Sequence, residues 1–234
     1  MFDPILTAAR IEEWPTLATL PTALTKALGI FRAIADTAAP APTIDWNKIT
    51  PGNAPAAVVA YAEQHALAAG YAAAHRAMLA EAANRVLSTA GEHVDEIIAA
   101  LSPAFLDSAR TFTDSVDALP PAAGTAELVA AGAAAVGAYH AAIDAQRHLL
   151  AVRGLVFDFA DLPGQAANGY DRVCTLATPH SAADLAQLDT GDASVEGLDD
   201  VLVAIARLGL EWTLRAPRDA QALRTELTTA VLAS

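Results

Sequence analysis

The stretch from Ala54 to about Leu119 constrains this chain more than any other. Leu67, Tyr71, Met78, Val86, Val94, Ile98, Leu101, Phe105, Phe112, Val116 and Leu119 follow one another there at steps of 3, 4, 7 or 8 residues. Those steps keep side chains on one stripe of a helix with 3.6 residues per turn. The positions between them are mostly alanine, the strongest helix former. A single rod from Ala54 to Leu101 would be about 70 Å long at about 1.5 Å per residue, and a rod of that length needs partners to bury its stripe. The pattern predicts a mainly α fold: a long central helix with an antiparallel helical hairpin, shorter N- and C-terminal helices, and at most one small β-hairpin within 155–177.

Helix breakers divide the chain. Residues 1–38 read as N-terminal helices: Asp3 caps a first one that starts at Pro4 and ends near Trp14, and a second starts at Pro21 and Thr22 with Leu24, Leu28, Phe31 and Ile34 on one face. Residues 39–55 form a proline-rich extended connector in which Ile44, Trp46 and Ile49 are expected to pin the chain to a surface. Residues 56–153 make the long helical hairpin. A kink or fresh start is expected at Ser102 and Pro103, because proline removes a hydrogen bond and crowds the preceding turn. Pro120 and Pro121 end the rod, and the next helix runs from Gly124 to about Arg153. Its first half is nearly all alanine and glycine, which would let it lie close against the rod.

Residues 154–194 are irregular, with candidate strands at 155–159 and 172–176 and a capping box from Ser181 to Asp184. Residues 195–234 carry C-terminal helices, one from Val195 to Arg215 and one from Pro217 to Leu232. The pieces are expected to form one domain.

Charge and composition exclude several classes of function. A net charge of −13 leaves no basic face for phosphates, and the arginines are scattered singly, so no nucleic-acid partner is expected. The stretch from Leu128 to Ile143 is the least charged but too short and too weakly apolar to cross a bilayer, and no membrane association is expected. The first fourteen residues lack the basic and apolar regions of a signal peptide. Cys174 is the only cysteine, which permits a reducing compartment and fits a cytoplasmic setting.

Chemistry-bearing residues are few. His140, Asp144 and His148 share one helix face, but the outer two are about 12 Å apart along the axis, too far for one ion. Glu81, Glu92, His93 and Glu96 on the rod are the partners that packing would have to bring opposite them. His75 and His93 share another face five turns apart. Asp189, Thr190 and Gly191 spell the aspartic-protease triplet, but in one copy, where that chemistry needs two carboxylates sharing a proton. Cys174 and His180 would form a nucleophile pair only if the fold brought them together. Tyr61, Tyr71, Tyr139 and the segment from Phe157 to Tyr170 are the candidate lining of a ligand pocket. No phosphate loop, dinucleotide fingerprint or serine elbow is present.

The sequence therefore reads as that of a non-catalytic assembly protein without metal or cofactor, acting through helix packing with itself or with other subunits. A bacteriophage virion or capsid-assembly component fits that character. Phe31, Trp46, Phe105 and Phe112 are its candidate interface residues. The alternative is a metal- or small-ligand-binding protein or enzyme using the face of His140, Asp144 and His148.

Overall fold

A computed structural model describes residues 3–38, 41–120, 124–165, 171–190 and 195–232. The fold is mainly α, and the chain divides into two compact units. The first comprises Met1–Glu12 and Thr22–Thr89, and the second Glu13–Pro21 and Ala90–Ser234.

In the first unit, Asp3 accepts hydrogen bonds from the backbone of Ile5 and Leu6 and so caps α1 (Pro4–Ile11). Helix α2 (Thr22–Ala35) buries Leu24, Leu28 and Phe31. The connector that follows is held by short polar links. Asp45 caps a single 3₁₀ turn at Trp46–Lys48, and Thr43 donates its N–H to Gln64. Ile44 and Ile49 are half-buried, as a pinned connector requires, but the Trp46 ring points to solvent with 73% of its surface exposed. Helix α3 (Ala54–Glu92) then runs for 39 residues without a break at Gly70 or Gly91. Its residues up to Thr89 belong to this unit, where His75 bonds the carbonyl of Ile34 at 2.7 Å.

The break in the long pattern falls at His93, ten residues before the proline. Helix α4 (Val94–Asp117) passes through Pro103 without interruption. Pro103 and Ala99, whose carbonyl loses its donor, are both exposed, so that carbonyl is not sealed from solvent. Ser102 donates to the Ile98 carbonyl at 2.7 Å, supporting the same turn.

Helix α4 pairs in antiparallel fashion with α6 (Ala133–Phe159), as two contacts far apart along them show. Gly91 lies against Pro163 at one end, and Ser108 bonds His148 nearer the other. The predicted hairpin partner is therefore correct in kind, but the close approach is not where glycine and alanine are densest. Gly137 has open space around it, and Gly132, at φ +92°, splits the expected helix into α5 (Thr125–Ala131) and α6.

Two further elements differ from the sequence reading. Residues 155–159, expected as a strand, are the last turns of α6, because Leu149, Val152, Leu155, Val156 and Phe159 continue one buried helical face past the exposed Gly154. The antiparallel sheet lies elsewhere: β1 (Ala177–Thr178) pairs with β2 (Glu211–Trp212), Ala177 opposite Trp212. The expected helix over 195–215 is shorter. It is α8 (Asp200–Arg207), closed where Gly209 at φ +64° donates to the Ala206 carbonyl and Leu210 to that of Ile205. That cap turns the chain directly into β2. Helix α7 (Ala182–Thr190) opens on the expected box, with Ser181 and Asp184 bonding each other's backbone N–H, and α9 (Pro217–Leu232) has its predicted bounds.

The core of the second unit forms around α4. Phe105 and Phe112 are fully buried and meet the edge of Trp212, whose indole N–H donates to Thr113 at 3.0 Å. Trp14 packs edge-on against Phe159 with ring centroids 5.0 Å apart.

Gly91 at the end of α3 and Gly154 in α6 predict opposite substitutions. A Cβ on Gly91 would lie 2.4 Å from the Pro163 carbonyl oxygen, whereas one on Gly154 meets nothing within 4 Å. Overpacking costs about 1–3 kcal/mol against a helix gain of about 1 kcal/mol, and the clash is with backbone, so Gly91→Ala is expected to destabilise by up to about 2 kcal/mol. Gly154→Ala is expected to stabilise by up to about 1 kcal/mol. Urea unfolding midpoints of the two variants check both signs.

Candidate functional site

A crevice of about 420 Å³ opens in the second unit between the turn at 171–173, the end of α7, the start of α8 and the middle of α9. Its lining is mostly charged: Asp171, Arg172, Asp189, Asp199, Asp200 and Arg224. Local sequence places each group. Asp171 opens a tight turn, and one of its carboxylate oxygens accepts from the N–H groups of Val173 and Cys174, each at 2.9 Å. Asp199 caps α8 through Leu202 and is paired with Arg153 at 2.8 Å. Arg224, on α9, donates one guanidinium nitrogen to Asp171 at 3.0 Å and another to Asp189.

This network holds the wall of the crevice together. The Asp171 side chain is only 2% exposed and its two oxygens are both used. Its hydrogen bond to Arg224 raises the guanidinium pKa further, Asp189 adds to this, and partial burial opposes it. Arg224 therefore stands as a fixed cation between two carboxylates. Asp171 and Asp189 are both bonded to this one cation. Asp200 and Arg172 are exposed at the rim, and among the described residues no ion pair ties them.

Cys174 sits behind this turn, buried, with its pKa pushed up to about 12, first by burial and then by the neighbouring Asp171. A thiol in that state is a weak nucleophile at neutral pH. His180 is exposed, and its backbone N–H donates to Asp184, so the structure does not bring the Cys174–His180 pair together.

The other predicted sites are also dispersed. Asp144 pairs with Arg147, His148 is taken up by Ser108 between α4 and α6, and His140 is exposed beside Tyr139. His93 bonds Glu96 at 2.9 Å. Among the described residues no group of three or more His, Cys, Asp or Glu side chains is placed to hold a metal ion. The Tyr139 hydroxyl donates to the Glu196 carbonyl, Tyr71 stacks on His75, and Tyr61 is 38% exposed. Gly191 and Tyr170 lie outside the described residues.

Of the four candidate interface residues, Phe31, Phe105 and Phe112 are core side chains, with 4%, 0% and 0% of their surface exposed. Their periodicity marked the face that the chain itself covers. Trp46 alone remains open. Sequence reasoning missed Gln146, a buried amide on α6 that accepts from the Asp199 N–H at 2.6 Å and donates to the Gly197 carbonyl. A glutamine between Ala142, Ala145 and Leu149 on an apolar face was the available signal. No such signal exists for Arg224, whose partners are 35 and 53 residues away.

Among the described residues, no helix is long and apolar enough to cross a membrane. No protein-family model, curated protein or solved structure matches the chain.

Three outcomes follow from this geometry. Asp171→Ala leaves Arg224 with Asp189 alone and frees two buried N–H groups, and is expected to cost about 2–4 kcal/mol in urea unfolding. Asp189, half exposed, is expected to cost about 1 kcal/mol or less as Asp189→Ala. For Cys174, the folded pKa lies above the ordinary value of 9.0, so its contribution to stability is complete below about pH 9. That contribution is lost as pH rises from about 9 toward 12. A Cys174→Ala variant should lack this component of the alkaline decline when the two proteins are unfolded in parallel pH series.

Proposed function

We propose that the protein is a non-catalytic assembly protein that works by packing helices against other protein subunits. One observation carries the reading: α3 presents apolar side chains that the chain leaves uncovered. From Ala54 to Glu81 the helix has no buried residue, and Val58, Leu67 and Met78 are 66%, 69% and 59% exposed. With Trp46, Val59 and Tyr61, this region carries six of the twelve large exposed apolar side chains among the described residues. A helix of 39 residues is about 58 Å long, and uncovered apolar surface on that scale is what interaction surfaces offer. The committed ion pairs of the crevice and the inert state of Cys174 support a role without catalysis. The acidic charge supports protein partners over nucleic acid, and the setting proposed is the cytoplasm. A virion or capsid-assembly component of a bacteriophage is a role in which such a chain would serve.

The test is the mass of the native particle. Light scattering from about 1 to 100 µM is expected to give a mass above the 24.1 kDa of one chain, or a stable complex with another subunit in extracts of the producing cells. A lone 24.1 kDa species in both settings would overturn the reading.

A further inference from the structure

The exposed side of α3 is patterned symmetrically about one residue. Glu63, Leu67, Gly70, Ala74, Met78 and Arg85 lie on one stripe, and with Glu81 the steps along it are 4, 3, 4, 4, 3 and 4. That series reads the same in both directions from Ala74. All seven positions are exposed. They lie to the side of the stripe through Ala68, Ala72, His75 and Leu79 that is half-buried within the chain. Among the described residues neither Glu63 nor Arg85 has an ion-pair partner in its own chain.

We propose that α3 pairs with α3 of a second copy of this chain, antiparallel, about a two-fold axis at Ala74. The inference rests on the assembly reading and names its partner. An isologous interface must be complementary to itself, so each residue at a given distance before the axis has to suit the one at that distance after it. Eleven positions before the axis stands Glu63 and eleven after it Arg85, so the pairing creates two Glu63–Arg85 ion pairs. A parallel pairing in register would set Glu63 against Glu63 and Arg85 against Arg85. Four positions out, Met78 of one copy faces Gly70 of the other, where a side-chain atom would meet nothing within 4 Å in the free chain. Ala74 meets Ala74 at the crossing, and small residues at that point let the backbones approach. Seven positions out, Leu67 of one copy stands opposite Glu81 of the other and one turn from its Met78, so the pairing covers both large apolar side chains of the stripe.

Cysteine cross-linking in the full chain tests the geometry, and the native Cys174 is buried and out of reach. Under mild oxidation Ala74→Cys is expected to give a disulfide-linked dimer, while Leu67→Cys, displaced from its own copy by about 20 Å in this register, is not. Glu63→Arg and Arg85→Glu should each weaken the dimer about tenfold in light scattering at low salt, and the double variant should recover it. Equal cross-linking of Leu67→Cys would overturn the antiparallel register. A wild-type oligomer that neither links through Ala74→Cys nor responds to charge reversal would overturn α3 self-pairing and leave the assembly reading intact. So would a chain that is monomeric alone but complexed with a different subunit. A chain that is monomeric and unaccompanied would remove both.

Discussion

The second unit depends on the antiparallel contact of α4 with α6. Among the described residues it is the most extensive helix–helix contact in that unit, and α8 and α9 are set against it. Phe105 and Phe112 from α4 and Leu149, Val152 and Phe159 from α6 are fully buried or nearly so. Truncating a side chain of this kind costs about 2–5 kcal/mol, a large share of what stabilises an ordinary domain. The contact also fixes where polar groups go. Gln146 projects from the buried face of α6 to hold the backbone at 197–199, and that backbone positions Asp199 as the cap of α8. Trp212 closes the other flank of α4, and through it the small sheet is attached to the helices. Secondary structure near the C-terminus is thus secured by groups projecting from a hairpin more than fifty residues earlier in the chain.

A second centre, Asp171, organises the irregular part by satisfaction of hydrogen bonds. A buried carboxylate is tolerated only when its lone pairs are filled, and here two backbone N–H groups and one guanidinium fill them. Arg215 does the corresponding work from the cation side, donating to the carbonyls of Cys174 and Ala177. The segment from Asp171 to Thr178 is therefore tied to the chain's last fifth by two arginines. Both arginines are committed to partners within the fold.

What the sequence revealed about the fold followed from local physics. Caps and turns were legible because their signals lie within a few residues: Asp3 before Pro4, Ser181 three residues before Asp184, Thr22 at the start of α2. The helical character of the long pattern was legible from its period. The end of α6 was not, because Gly154 followed by Leu, Val and Phe resembles a strand start, and only burial of Phe159 with Val152 favours helix. Pro103 misled for a related reason. A proline breaks a helix when the freed carbonyl is buried, and whether it faces water depends on packing that one sequence does not state. Three of the four candidate interface residues, Phe31, Phe105 and Phe112, lie in the core. Large aromatics at helical spacing mark whichever face is covered first, and the chain covers Phe105 and Phe112 itself. The charged crevice drew no notice because Asp171, Asp189 and Arg224 meet only across long sequence separations.

The exposed face of α3 shows why alanine is used so heavily. In the core, alanines such as Ala83 and Ala142 are fully buried, and their small area contributes little per residue. On α3 the same residue keeps the helix formed without covering it, since alanine has the highest helix propensity and the least surface. A helix whose N-terminal two-thirds lacks a buried residue cannot be maintained by tertiary packing along that length, and propensity must do it instead. Glycine at position 70 works against that requirement by up to about 1 kcal/mol, with no close contact in the chain to call for it. Its cost is understandable if the space beside it is filled from outside, and Met78 of a second copy has the size and the position to fill it.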